Sequence, residues 1–196
     1  MDARTGKKIR LGRILNPVSG RTIIVAASHA VLTGAPSGLK NNSEMKNRLG
    51  QLAGANGIMI APGSVEKIEE IFIGREKPSL VIHMDWKSFG RPIFTPGTEG
   101  ISEGNISELT TVENAVSSGA DAIMTYLYVG HKDNKLEKEE IQRNARLAAE
   151  CSKYGIILII EPRAVDDYVD KSQVENAKLL AWYCRMAAEI GADVVK

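Results

Sequence analysis

Short apolar runs alternate with longer mixed stretches from one end of the chain to the other. Residues 22–27 (TIIVAA), 57–61 (GIMIA), 80–84 (LVIHM) and 156–160 (IILII) are continuous runs rich in β-branched residues. Runs of this length fit strands buried on both faces, as in a parallel sheet. A fourth strand starts at residues 121–124 and extends through Tyr128 to Val129 and Gly130; a sixth ends the chain at residues 193–196. Between them the pattern turns helical. Helices are expected at 43–52 with Ser43 as N-cap, 64–73 with Ser64, 111–118 with Thr111, 136–154, and 173–190 with Ser172 nearby. Residues 4–15 are basic and run into Asn16-Pro17-Val18-Ser19-Gly20, a turn cluster. Residues 87–107, broken by Gly and Pro, form a connection too long for an ordinary loop, anchored by Trp86 and Phe89.

Strands alternating with helices argue a parallel sheet with helices outside it. Gly119-Ala120-Asp121-Ala122-Ile123 and Gly191-Ala192-Asp193-Val194-Val195 repeat one joint: a helix-ending Gly, Ala-Asp, then a strand. No Gly-rich phosphate or dinucleotide fingerprint follows the first strand, which disfavours an open doubly wound sheet. The expected fold is therefore α/β, a (β/α)8 TIM barrel. The 196 residues form one domain (1–196) covering about the first six βα units, because a closed barrel takes eight. A fragment ending inside strand six is the expectation, with an open gap between strands six and one.

Composition narrows the function classes. A formal net charge of +1 with 25% charged residues provides no electrostatic case for nucleic acid or an anionic membrane. The basic cluster Lys7, Lys8, Arg10 and Arg13 reads as a solvated face. Cys151 and Cys184 lie far apart inside helical patterns, without metal or redox spacing, so a reducing cytoplasmic setting is expected. His83 and Asp85 alternate onto one face at the end of strand three, but no spacing rule supplies a third ligand such as His131, and no metal is expected.

Candidate chemistry collects at strand ends. In a barrel the C-terminal tips of the strands face the active-site mouth. Ser28 and His29 end strand one, Asp85 follows strand three, and Tyr128 alternates with Tyr126 on strand four. Glu161 ends strand five and Lys196 ends strand six. An amine enclosed by apolar neighbours loses its charge more easily and becomes a nucleophile for carbonyls; a strand-end lysine that simply reaches solvent is the plainer reading. His29 reads equally as a core histidine, and Glu161 equally as a partner of Arg163.

Arg10-Leu11-Gly12-Arg13-Ile14-Leu15-Asn16-Pro17, then Ser19-Gly20-Arg21-Thr22 and the strand ending Ser28-His29-Ala30, resemble the N-terminal signature of the class I aldolases of the DeoC/FbaB/LacD-type superfamily. Residues 185–196 look like that family's Schiff-base strand, and Tyr128-Val129-Gly130 matches more loosely. The resemblance implies a (β/α)8 barrel in which Lys196 forms an imine with a phosphorylated ketose or related ketone, with no cofactor or metal. Catalytic roles then fall to Lys196, Glu161 and Tyr128, and substrate contacts to Ser28, His29 and Asp85. A homo-oligomer, free of nucleic acid and membrane, goes with that reading.

The departures are specific. The family's Asp-His-Gly is here Ser28-His29-Ala30, and a serine cannot act as a base at neutral pH. Glu161 stands before Pro162-Arg163 where the fructose-bisphosphate aldolases often carry Tyr. Slow turnover of the standard aldolase substrate follows. Thiolase-type or transaldolase-type chemistry on the same lysine, or a catalytically weakened binding or assembly subunit, are the alternatives.

Overall fold

The structure, a computed structural model, describes residues 3–52, 54–87, 106–131, 133–165 and 177–196. Six parallel strands form the main sheet: β1 (Ile24–Ala26), β2 (Gly57–Ile60), β3 (Ser79–His83), β6 (Ala122–Val129), β7 (Ile157–Ala164) and β8 (Val194–Val195). They lie side by side in chain order, every neighbouring pair parallel. This is six consecutive strands of a curled barrel wall, with β1 and β8 at its edges. A separate antiparallel pair, β4 (Asp85–Trp86) and β5 (Ser107–Glu108), flanks the top of β3. Most of the 87–107 connection, including Phe89, lies outside the described residues.

Alternation sorts the apolar side chains into two layers. Ile58, Ile60, Leu80, Ile82, Ile123, Leu127, Leu158 and Ile160 pack outward with Leu147, Cys151 and Ala187 of the helices. Met59, Val81, Ala122, Met124, Ile157 and Ile159 face the concave side. The strands are thus apolar on both faces, as their continuous hydrophobic runs require.

Two helices match their expected ends closely. α4 (Val112–Ser117) is capped by Thr111, whose hydroxyl accepts from Asn114 N at 3.1 Å. α5 (Asn134–Tyr154) stops at Gly155, whose left-handed backbone (φ 68°) only glycine adopts without strain. α6 (Ala177–Ile190) begins inside the expected 173–190 span, and Ser172 lies outside the described residues.

Three expectations are corrected. The helix expected at 43–52 is α3 (Asn42–Gly50); Asn41, not Ser43, caps it, accepting from Glu44 N while the Glu44 carboxylate reaches back to Lys40 N. Asn41 and Glu44 thus tie down the backbone N–H groups on both sides of the helix start, so the chain enters the helix earlier. The span expected as a helix at 64–73 forms two 3₁₀ turns, Pro62–Lys67 and Glu69–Ile71.

The third correction concerns the N-terminus. The basic stretch is a helix, α1 (Ala3–Ile14), separate from α2 (His29–Leu32) beyond β1. Lys8 and Arg13 are exposed, as a solvated face requires, but Lys7 and Arg10 are half-buried and three of the four have defined partners. Lys7 Nζ lies 2.7 Å from Asp193, Arg10 donates to Gly155 O at 2.9 Å, and Arg13 lies 3.0 Å from Asp121. Both Asp residues belong to the repeated Gly-Ala-Asp joints, so α1 ties together the N-terminal ends of β6 and β8. Ile14, 1% exposed, closes this end of the concave layer.

Candidate active site

Register places the site. Tyr126 of β6 is aligned with Glu161 of β7, and Ile160 with Val195. One residue further, Lys196 donates its backbone N–H to Ile160 O at 3.0 Å, which brings its side chain level with Glu161. Lys196 Nζ lies 2.5 Å from Glu161 Oε2, and Arg163 Nη1 lies 3.4 Å from Glu161 Oε1. One carboxylate therefore holds two cations.

A cavity of about 280 Å³ opens at this end of the sheet, lined among others by Ser28, His29, Tyr126, Glu161, Arg163 and Lys196. Four sequence-derived residues (Ser28, His29, Glu161 and Lys196) thus share one cavity. The Lys196 side chain is 45% exposed among the described residues, and its amine meets Glu161.

Ser28 stands at the N-cap of α2 without making a cap bond. Its Oγ lies instead 2.8 Å from His83 Nδ1, both residues buried. Burial, helped by the charges of Lys196 and His29, pushes the His83 imidazole down to about 4. Its ring meets Tyr126 edge-on, 5.3 Å between centroids. Burial, reinforced by the Glu161 charge, pushes the Tyr126 phenol up to about 12, so it stays protonated at neutral pH.

Tyr128 and Asp85 do not line this cavity. Tyr128 shares the inward face with Tyr126 but sits one step further along β6, beneath the Lys87 ammonium, 3.8 Å from its ring centroid. Burial raises its phenol pKa. The sequence put both tyrosines on one face; only register distinguishes their depth.

Asp85 has a different task. The β3 ladder ends where His83 meets Met124, so among the described residues no β3 residue pairs with the upper half of β6 on that side. Asp85 bonds there instead: its Oδ2 accepts from Tyr126 N at 2.5 Å and from Thr125 Oγ1 at 2.6 Å. Arg143 of α5 binds Asp85 Oδ1 at 2.8 Å and Tyr126 O at 2.6 Å, and Glu140 accepts from Tyr128 N at 3.1 Å. Buried backbone groups must be paired, and here side chains do it. Burial lifts the Asp85 carboxyl to about 6 against the pull of Arg143. Asp85 thereby fixes the position of Tyr126 rather than reaching the cavity itself.

Tyr126 and Arg163 line the cavity although sequence reasoning had not selected them as site residues. The signal for Tyr126 was its alternation with Tyr128; for Arg163 it was adjacency to Glu161. Among the described residues, no group of three or more His, Cys, Asp or Glu side chains is arranged to hold a metal ion. No helix among them is long and apolar enough to cross a membrane.

Comparison with known proteins bears on the family and the fold. A family model described as DeoC/LacD family aldolase matches residues 23–196. An uncharacterized aldolase of Saccharolobus solfataricus is 30% identical over 194 residues, covering 97% of this chain and 67% of that protein. A 2-amino-3,7-dideoxy-D-threo-hept-6-ulosonate synthase of Halobacterium salinarum is 27% identical, covering 97% of this chain and 64% of that protein. The chain thus spans about two thirds of the length of these relatives. A solved Schiff-base-forming fructose-1,6-bisphosphate aldolase superposes with a TM-score of 0.70 at 22% identity, covering 96% of this chain and 69% of that one. That likeness establishes the shared fold.

Proposed function

The chain belongs to the DeoC/LacD family of aldolases, and from that premise we propose that Lys196 forms an imine with a ketone substrate and that the site makes or breaks the neighbouring carbon–carbon bond. The observation that carries this reading is the Lys196 amine in contact with the Glu161 carboxylate inside a cavity at the strand tips. A carboxylate touching the amine is placed to take its proton, which frees the lone pair for attack.

The steps follow from these groups. Lys196 Nζ adds to the ketone carbon, and loss of water leaves a protonated imine. A base then removes the proton of the hydroxyl on the far carbon of the bond to be cleaved, the carbon that becomes the aldehyde. The bond electrons move into the imine, an aldehyde departs and an enamine remains. Protonation at carbon and hydrolysis release a second ketone and restore the amine. Glu161 moves the protons, and Tyr126, held in its protonated form, donates to developing negative charge on oxygen. The proposal includes a phosphorylated ketose as substrate, a cytoplasmic setting and assembly of several copies. Ser28, which replaces the carboxylate of the resembled signature, leaves Glu161 with the proton work, so turnover of a fructose-bisphosphate-like substrate is slow. That replacement also favours, as a second reading, a catalytically weakened homologue acting in binding or assembly.

The test is to incubate the full chain with fructose 1,6-bisphosphate or dihydroxyacetone phosphate, reduce with borohydride and map adducts by peptide mass. A label on Lys196, absent in Lys196→Met, is expected. A folded protein that acquires no label with either compound overturns the imine reading and leaves a binding or assembly role.

A further inference from the structure

The buried contact between Ser28 and His83 has no part in the steps above, although it lies beside the cavity. A serine at a helix N-cap ordinarily turns its hydroxyl to accept from the backbone N–H groups of the first turn. Ser28 occupies that position ahead of α2 and makes no such bond. Its Oγ is held by His83 Nδ1 at 2.8 Å, across 55 positions of sequence. Ser28 nevertheless lines the cavity with Lys196, Glu161 and Tyr126. His83 is fully buried, and its Nε2 has no hydrogen-bond partner among the described residues.

The unpartnered nitrogen selects the tautomer. In neutral imidazole one ring nitrogen carries the proton and the other a lone pair. Orphaned buried N–H donors are rarer in folded proteins than under-satisfied acceptors. The lone pair therefore belongs on Nε2 and the proton on Nδ1, directed at Ser28 Oγ. The ring does not become a cation at neutral pH, since burial and the Lys196 and His29 charges oppose it. With its oxygen already accepting from His83, the Ser28 hydroxyl has its own hydrogen left to give.

We propose that His83 is a positioning residue which, through Nδ1–H to Ser28 Oγ, aims the Ser28 hydroxyl hydrogen into the cavity, where it binds an acceptor oxygen of the substrate bound at Lys196. The proposal rests on the imine reading for the identity of that substrate. The oxygen it recognises is one with a free lone pair close to the ketone carbon, whether from a carbonyl, a hydroxyl or a phosphate group. His83 touches no reacting atom; it acts through Ser28.

The geometry can be tested without assuming turnover. Nitrogen-15 spectra of the histidine rings in the full chain distinguish the two tautomers; His83 is expected to carry its proton on Nδ1 at neutral pH. Dihydroxyacetone phosphate is then titrated in, with the His83 and Ser28 signals as readout. Ser28→Ala and His83→Gln should weaken binding of this probe about tenfold, the effect of one hydrogen bond to a polar oxygen. His83→Asn, whose amide N–H can stand where Nδ1–H stood, should retain most of the affinity. Borohydride labelling of Lys196, run in parallel, reports separately on the imine. A proton on Nε2 overturns the proposal, as does unchanged affinity in a folded His83→Gln protein. A wild-type protein whose His83 and Ser28 signals do not move at saturating probe overturns it too.

Discussion

Lys196 Nζ and Glu161 Oε2 lie 2.5 Å apart at the tips of neighbouring strands, level with each other because Ile160 and Val195 are paired one residue below. If Glu161 moves protons for the lysine, Glu161→Gln will slow the trapping of a label on Lys196 but not abolish it. Its rate of aldol cleavage will fall by about 10²- to 10⁴-fold, the usual contribution of a general acid–base group. Trapped fraction and cleavage rate measured on the same sample separate the two functions. Equal cleavage rates in variant and wild type would reduce Glu161 to a charge partner.

The two tyrosines of β6 should behave differently. Tyr126 lines the cavity beside Glu161 and Arg163, whereas Tyr128 lies beneath Lys87 outside it. Tyr126→Phe is expected to lower cleavage at least tenfold, and Tyr128→Phe to leave it within about twofold. The opposite order of effects would move the chemistry outward along β6.

His83 makes stability depend on pH in a predictable direction. Its folded-state value of about 4 lies below the ordinary 6.5. Between those values the unfolded chain takes up a proton that the folded chain refuses. Stability from neutral His83 is therefore complete above pH 6.5 and is lost as the pH falls toward 4, by about 3 kcal/mol. Asp85 works the other way, since its value is raised from 3.8 to about 6 and its cost appears as the pH rises through that range. The two largely offset each other. Urea unfolding of wild type and His83→Gln should show a stability difference that shrinks by about 3 kcal/mol between pH 6.5 and 4. A difference constant with pH would mean that the folded protein does not hold His83 neutral.

At the other end of the sheet, α1 is expected to hold mainly through its apolar anchor. Ile14 is 1% exposed, and Ile14→Ala should cost about 3 kcal/mol by urea unfolding. The Arg13 side chain is 63% exposed where it meets Asp121, so Arg13→Ala should cost less than about 1 kcal/mol. A larger loss from Arg13 than from Ile14 would make the ion pairs the principal fastening.

The sequence by itself determined the parallel strands in chain order, because residues buried on both faces leave continuous apolar runs that little else explains. It also marked the repeated Gly-Ala-Asp joints, the Thr111 cap and the Gly155 stop, all local features of a few neighbouring residues. Alternation further put Tyr126 and Tyr128 on one face. It could not determine depth, which depends on where β3 stops and how β6 is aligned with β7. For that reason Tyr126 rather than Tyr128 enters the cavity, and Asp85 pairs with the backbone of β6. The tertiary structure also decided what the basic N-terminal residues do, since the partners of Lys7, Arg10 and Arg13 lie 186, 145 and 108 positions away. The Ser28–His83 contact is of the same kind: two polar side chains with no shared local pattern, brought together because curling of the sheet places the ends of β1 and β3 close enough for one hydrogen bond.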